Sequence, residues 1–221
     1  MYLKLSRVPA FLKWLYPQWY VWDKKTGKKT VYLTFDDGPV PEVTEFVLDT
    51  LSRKRKNPIP ATFFCIGDNV RKHPEIFKRI YQSGHSIGNH TQHHLNGWKT
   101  STGAYIDNVR LAEEEISTHL PKTINTPTAP LFRPPYGKIK RKQARVLKKL
   151  GYTIIMYRVI AFDWDAHTSP EQCLDNVIKK AKNGDIIVFH DSVKAFENMK
   201  YALPRAIAYF EKAGFTFGRL E

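Results

Sequence analysis

Two adjacent carboxylates, Asp36 and Asp37, follow the strand-like run Val31-Tyr32-Leu33-Thr34-Phe35 and are themselves followed by Gly38-Pro39. Consecutive side chains on a strand point to opposite faces, so neighbouring acids share a site only where the strand ends. Like charges held that close disfavour each other's ionised form, and each needs a stabiliser such as a metal ion or a guanidinium. Asp-Asp-Gly-Pro is also an ordinary turn sequence, so the pair gains chemical meaning only from partners elsewhere. The stretch His90-Thr91-Gln92-His93-His94 supplies candidates, with three of the 8 histidines of the chain. His90 and His94, four apart, can converge on one ion from a tight loop or helical turn, leaving His93 pointing away. With Asp37 or Asp36 they form a two-histidine, one-carboxylate set that suits zinc or another first-row divalent ion and leaves positions open for water and substrate.

Three further stretches end apolar runs with polar residues. In Phe132-Arg133-Pro134-Pro135-Tyr136-Gly137 the prolines and glycine fix a rigid loop. Arg133 can grip a carboxylate there, and the loop's N–H groups point in a fixed direction, as a developing oxyanion requires. Asp163-Trp164 and Val188-Phe189-His190-Asp191 are the others. His190 can serve as a general acid if a carboxylate such as Asp163 raises its pKa. His73, His85, His119 and His167 stand alone and read as surface or structural residues.

The elements that must position these groups alternate between strand and helix. Strands are predicted to end at the acids and over Ala61 to Ile66, before Gly88, at Leu131-Phe132, over Thr153 to Val159, over Asp185 to Phe189 and at Phe215 to Gly218. Helices are predicted over 42–53, 69–82, around Ile106 to Leu120, up to Leu150, from the capping box Ser169-Pro170-Glu171-Gln172 to Lys182, and through Leu203, Ile207 and Phe210. About seven strands in such alternation, with no linker or repeat, predict an α/β domain with a mostly parallel sheet, as a barrel or an open sheet. Parallel α/β folds place their sites where strands end, and all five stretches fall there.

Composition narrows the class without naming a function. The 221 residues are 42% hydrophobic and 25% charged, which excludes a disordered chain. A net charge of +14, spread along the sequence, favours polyanionic partners in general: nucleic acid, anionic lipid or an acidic envelope polymer. Cys65 and Cys173 lie far apart and read as buried thiols. No apolar run is long enough to cross a bilayer, and the N-terminus lacks a signal-peptide layout, so a cytoplasmic or membrane-peripheral location is expected rather than secretion. Leu5, Val8, Leu12 and Leu15 recur at helical spacing before Trp19, Tyr20 and Trp22. They predict an aromatic-rich helical extension over residues 1–29, either packed across an opening of the core or, through residues 3–22, resting on a membrane surface.

The ordered motifs Thr-Phe-Asp-Asp-Gly, His-Thr-x-x-His, Arg-Pro-Pro-Tyr-Gly, Asp-Trp and Val-Phe-His-Asp resemble the polysaccharide deacetylase family, carbohydrate esterase family four, with its NodB-homology domain. The resemblance covers roughly residues 30–218, so residues 30–221 are expected to form the catalytic domain, a distorted (β/α)7 barrel. It implies that Asp37, His90 and His94 bind the metal, usually zinc with cobalt as an alternative. Asp36 is then the general base, held ionised by Arg133, and the Tyr136 N–H helps stabilise the oxyanion. His190 is the general acid tuned by Asp163, while Trp164 and Val188 wall the acetyl pocket and Pro135 is a substrate-binding residue. The implied reaction removes N-acetyl groups from an amino-sugar glycan of the peptidoglycan or chitin type, by a monomer that binds no nucleic acid. An O-acetyl esterase is the near alternative, and a non-catalytic glycan- or polyanion-binding domain the distant one. Ile160 stands where many members carry an acid, Val188 where leucine is commoner, and Gln92-His93 between the ligands is unusual. These departures touch pocket shape, but every catalytic group is present.

Overall fold

The computed structural model describes residues 5–17, 19–53, 58–121 and 130–221. Nine strands form one sheet in which all strand pairs are parallel. They are β1 (Tyr20–Val21), β2 (Thr30–Asp36), β3 (Thr62–Cys65), β4 (Ser86–Asn89), β5 (Leu131–Phe132), β6 (Thr153–Ile155), β7 (Val159–Ile160), β8 (Ile186–His190) and β9 (Thr216–Gly218). The helices are α1 (Val43–Ser52), α2 (Gly67–Lys72), α3 (Pro74–Gln82), α4 (Thr102–His119), α5 (Arg141–Lys149), α6 (Pro170–Ile178) and α7 (Phe196–Lys212). The sheet runs β1-β6-β5-β4-β3-β2-β8-β7, with β9 pairing β2 off that path. β2 to β8 are therefore the seven strands of a distorted (β/α) barrel.

Covalent geometry shows how strongly this sheet curls. β6 and β7 lie near opposite edges, yet only Met156, Tyr157 and Arg158 separate them in sequence. Four Cα steps reach at most about 14 Å, so the edges must nearly meet. The N-terminal segment spans the remaining gap. Val8 N–H donates to the Arg158 carbonyl (2.8 Å), Ser6 O accepts from Ile160 N–H (2.9 Å), and β1 pairs β6 in register Tyr20 to Ile154.

The helix expected from Leu5 to Leu15 does not form. Pro9 interrupts it, and residues 6–8 are bonded to β7 as extended chain, leaving a short 3-10 stretch, Ala10–Leu15. Lys4, residue 18 and the side chain of Trp14 lie outside the described residues, as does most of the basic stretch after α1. Two other boundaries differ from expectation. The helix predicted over 69–82 is two helices, because Pro74 forces His73 out of helical geometry. The strand predicted over Thr153 to Val159 splits at the turn between the sheet edges. Ser169 caps α6 as its capping box predicts, accepting from Gln172 N–H at 3.2 Å.

Burial follows the period of two. Val31, Leu33 and Phe35 of β2 point outward into the main core with α1, α3, α6 and α7, which contribute Leu51, Phe77, Cys173 and Phe210. Tyr32 points into the barrel, where it packs with Phe64, Leu131, Ile155, Ile186 and Leu220. Thr34 and Asp36 share that inward face by alternation. Cys65 and Cys173 are buried free thiols.

Candidate active site

The C-terminal strand ends converge on a cleft of about 680 Å³ lined by Asp36, Asp37, His90, His94, Arg133, Trp164, Val188 and His190, among others. Asp36 enters from inside the barrel and is almost fully buried. Arg133, equally buried, explains how a charge survives there: its Nη1 donates to Asp36 Oδ1 (2.6 Å) and Thr34 Oγ1 (2.7 Å). Its Nη2 donates to the Met156 carbonyl at 3.3 Å, and the guanidinium lies 4.0 Å above the Phe64 ring. A buried charge is tolerated when it is both paired and hydrogen-bonded.

One residue later the chain turns over. Asp37 adopts φ 88°, a left-handed conformation that swings its carboxylate to the histidines. Its Oδ1 lies 3.2 Å from His94 Nε2 and 3.7 Å from His90 Nε2. The turn is held by buried Asp191, which accepts from Gly38 N–H (3.0 Å) and Thr44 Oγ1 (2.6 Å), while Asn69 Nδ2 donates to the Asp37 carbonyl (2.7 Å). A Cβ on Gly38 would sit 1.9 Å from Asp191 Oδ2, so that turn requires glycine. Burial pushes the Asp191 carboxyl up to about 8, with the Asp37 charge adding to it.

The histidines are oriented through their other nitrogens. His90 Nδ1 lies 2.8 Å from the Arg133 carbonyl, which can only accept, so Nδ1 carries the proton and Nε2 presents a lone pair toward Asp37. Burial lowers the His90 pKa to about 4 against the pull of Asp36, keeping the imidazole neutral, as a metal ligand must be. His94, itself at φ 54°, has Nδ1 within 3.1 Å of the Tyr136 hydroxyl. Asn108 Oδ1 fixes the loop by accepting from Gln92 and His93 N–H, and His93 projects into solvent.

Asp37, His90 and His94 each bring one ligand atom within 4.8 Å of the others. Asp37 Oδ1 is buried without a well-formed hydrogen bond among the described residues, although two imidazole nitrogens face it. An orphaned carboxylate oxygen facing two imidazole nitrogens is an arrangement that a divalent cation resolves. Burial raises the Asp37 carboxyl, but the His94 contact and the charge of His190 hold it below the ordinary carboxylate range.

Across one strand spacing, His190 of β8 is the register partner of Asp36. Its Nδ1 is 2.9 Å from Asp163 Oδ1, and its backbone N–H donates to Asp163 Oδ2 at 2.7 Å. Burial alone would lower its pKa; Asp163, with Asp37 and Asp36 behind it, raises it to about 9. Trp164 packs edge-on against the His190 ring, with centroids 4.4 Å apart. Val188 lies in the cleft wall with Ile160, Phe162 and Tyr157. Tyr136 sits at φ 60° on the rim with its ring exposed.

One sequence-derived pocket residue is placed elsewhere. Pro135 is buried and lies outside the cleft lining, whereas Pro134 lines it, because the extended backbone at Pro134 sends successive rings to opposite sides. Sequence reasoning also passed over Asn69, Tyr157 and Phe162, and over Leu5 and Val8, which the N-terminal arm lends to the cleft. Only Phe162, adjoining Asp163, sat close enough to a recognised motif to have been found.

Fold and site together fit a metal-dependent hydrolase whose candidate site lies at the open end of a parallel barrel, with a buried carboxylate, a carboxylate-paired histidine and a possible metal cluster side by side. The sequence pattern of the polysaccharide deacetylase family matches residues 23–155, and the chain belongs to that family. A peptidoglycan-N-acetylglucosamine deacetylase of Bacillus cereus is 34% identical over 208 residues, spanning 93% of both chains. The peptidoglycan-N-acetylmuramic acid deacetylase PdaA of Bacillus subtilis is 32% identical over 89% of this chain and 72% of its own. The crystal structure of the Bc1960 peptidoglycan N-acetylglucosamine deacetylase with a hydroxamate-type benzamide superposes with a TM-score of 0.84 at 30% identity, covering 96% of this chain and 95% of that one. The protein is a deacetylase of a metal-dependent family, and its Asp-His-His cluster is a possible metal site.

Proposed function

We propose that this enzyme removes the acetyl group from N-acetylglucosamine units of peptidoglycan, using zinc held by Asp37, His90 and His94. The observation that carries the reading is the presence of two ion pairs beside the ligand cluster: Asp36 held by Arg133, and His190 held by Asp163. A bound divalent ion supplies Lewis acidity, polarising the acetyl carbonyl and acidifying water. Asp36 accepts a proton from the attacking water. The Tyr136 N–H, on a loop fixed by two prolines, donates to the carbonyl oxygen as it gains charge. His190 delivers its Nε2 proton to the departing nitrogen, which leaves poorly unless protonated. An O-acetyl ester has less need of such an acid, so the His190–Asp163 pair favours the amide.

The nitrogen and oxygen donors suit zinc, with cobalt a functional substitute. One chain supplies every residue of the site, which supports action as a monomer. We assign residues 30–221 to the catalytic domain and residues 1–29 to an arm on its open side. Exposed Leu5, Phe11 and Leu15 on that arm support a peripheral membrane contact through residues 3–22, part of which lies outside the described residues. No described helix is long and apolar enough to cross a membrane.

The test is acetate release from N-acetylglucosamine oligomers and peptidoglycan fragments, with and without chelator and added zinc. Release requires metal; chelator-insensitive release would contradict the assignment. Asp36→Asn is expected to retain metal and lose turnover, whereas His90→Ala loses metal. Equal metal content in the two variants would break the division of roles.

A further inference from the structure

The cleft does not end at Tyr136. Val8, Tyr136, Gly137 and Tyr157 form a wall shared with a second cavity of about 480 Å³, roofed by Leu12, Tyr16 and Tyr20 of the N-terminal arm and floored by Trp22, Ile139 and Met156. Its size lies in the range of small-molecule sites. Tyr16, half-buried against Tyr20 (5.5 Å) and Trp22 (5.2 Å), offers an aromatic face of the kind on which the C–H face of a sugar ring packs, while Tyr20 itself is buried and stacked on Trp19 (4.8 Å).

Two polar features distinguish this cavity from a packing gap. Trp22 is buried, yet its indole Nε1–H has no acceptor among the described residues. Leaving a buried donor unsatisfied is unfavourable, so an acceptor brought in by a ligand would relieve it. Arg141 lines this cavity and also a third of about 260 Å³, where Arg145 joins it one helical turn along α5. Neither arginine has an ion pair among the described residues, and the first turn of α5 contains no acid.

The geometry points to a second subsite, reached from the catalytic cleft, that takes a carboxylate-bearing sugar of the same glycan. The ring packs on Tyr16, and the carboxylate meets Arg141 and Arg145. Arginine suits this role because its planar fork matches a carboxylate. The inference rests on the glycan-deacetylase reading and narrows it: the substrate is an acidic amino-sugar polymer, and part of its selection is electrostatic.

The test compares peptidoglycan tetrasaccharides bearing free lactyl carboxylates with their methyl esters. The native enzyme is expected to show a KM about five- to ten-fold lower for the acid at similar kcat. In Arg141→Gln/Arg145→Gln the ratio of the two KM values falls to about one, and Trp22→Phe raises both. Equal KM values for acid and ester on the native enzyme would overturn the inference, as would a preference that survives the double substitution. Calorimetric binding of both compounds to inactive Asp36→Asn separates this reading from the one beneath it. Preferential binding of the acid without acetate release from native enzyme counts against the deacetylase assignment alone. Acetate release with no acid preference in either measurement counts against the subsite alone.

Discussion

Replacing Asp163 by Asn isolates the acid half of the site. His190 is enclosed, and burial by itself disfavours its imidazolium form; the neighbouring carboxylates, Asp163 foremost, lift its pKa from 6.5 to about 9. Asparagine keeps the shape and an oxygen for the His190 backbone N–H, but it removes the charge facing Nδ1. Burial then governs, and the pKa falls to the ordinary value or below. At pH 8 a group with a pKa of about 9 is about nine-tenths protonated, against about 3% for one at about 6.5. The expected loss in kcat on an N-acetyl substrate is therefore about thirty-fold at that pH. The high-pH limb of the profile should move down from about 9. Acetate release measured from pH 6 to 10, with an O-acetylated glycan in parallel, reads both effects. The ester should lose less, because its leaving oxygen needs less protonation. An unmoved limb, or equal losses on amide and ester, would refute the role given to His190.

Removing Arg133 tests the buried pair. Arg133→Met strands the Asp36 carboxylate inside the barrel and should cost about 3–5 kcal/mol in denaturant unfolding. The double variant Asp36→Leu/Arg133→Met should recover most of that while remaining inactive; a single-variant loss below about 1 kcal/mol would deny the pair its structural weight. With the divalent ion chelated, stability should peak near pH 6.5. Between about 4 and 6.5 the unfolded chain binds protons at His85 and His90 that the folded chain refuses, both pKa values being lowered to about 4 by burial. Asp191, raised to about 8 by burial, works in the opposite direction over that window. Two protons against one leave a net loss of about 1.4 kcal/mol per unit of acidification. Above 6.5 the sign reverses, because folded His190 and Asp191 hold protons that the unfolded chain has released, and stability falls toward pH 8. Urea midpoints across this range check the profile, and His85→Phe should flatten its acid side.

What the sequence revealed and what it hid divide along physical lines. Asp36, Asp37, His90, His94, Arg133 and His190 were legible because their side chains have few uses other than chemistry at the ends of apolar strands. The barrel interior was not. Val31 to Asp36 is buried on both faces, so the alternation of Val31, Leu33 and Phe35 with Tyr32, Thr34 and Asp36, which by itself reads as a core face and a solvent face, does not reveal that the polar face lines a closed interior. The arm misled for a different reason. Leu5, Val8, Leu12 and Leu15 have helical spacing, but pairing of residues 6–8 with β7 is a contact across about 150 residues that no local pattern encodes. The break at Pro74 was legible from the proline itself.

The least legible property is the backbone conformation that makes the site converge. Asp37, His94, Tyr136 and Phe162 all line the cleft and all hold left-handed φ values, between 54° and 88°. Such conformations cost non-glycine residues about 1–3 kcal/mol each and persist only when the surroundings over-determine them. The determinants are polar groups that an apolar-core reading passes over. Asp191 and Asn69 grip the turn at Asp37, Asn108 grips the loop that carries His94, and the Arg133 carbonyl orients His90. Arg133 therefore acts twice, its guanidinium on Asp36 and its carbonyl on His90, so the proposed base and the proposed ligand are set by one residue of one rigid loop. A change that displaces that loop should disturb metal affinity and turnover together, whereas a change confined to the Asp36 carboxylate should disturb turnover alone.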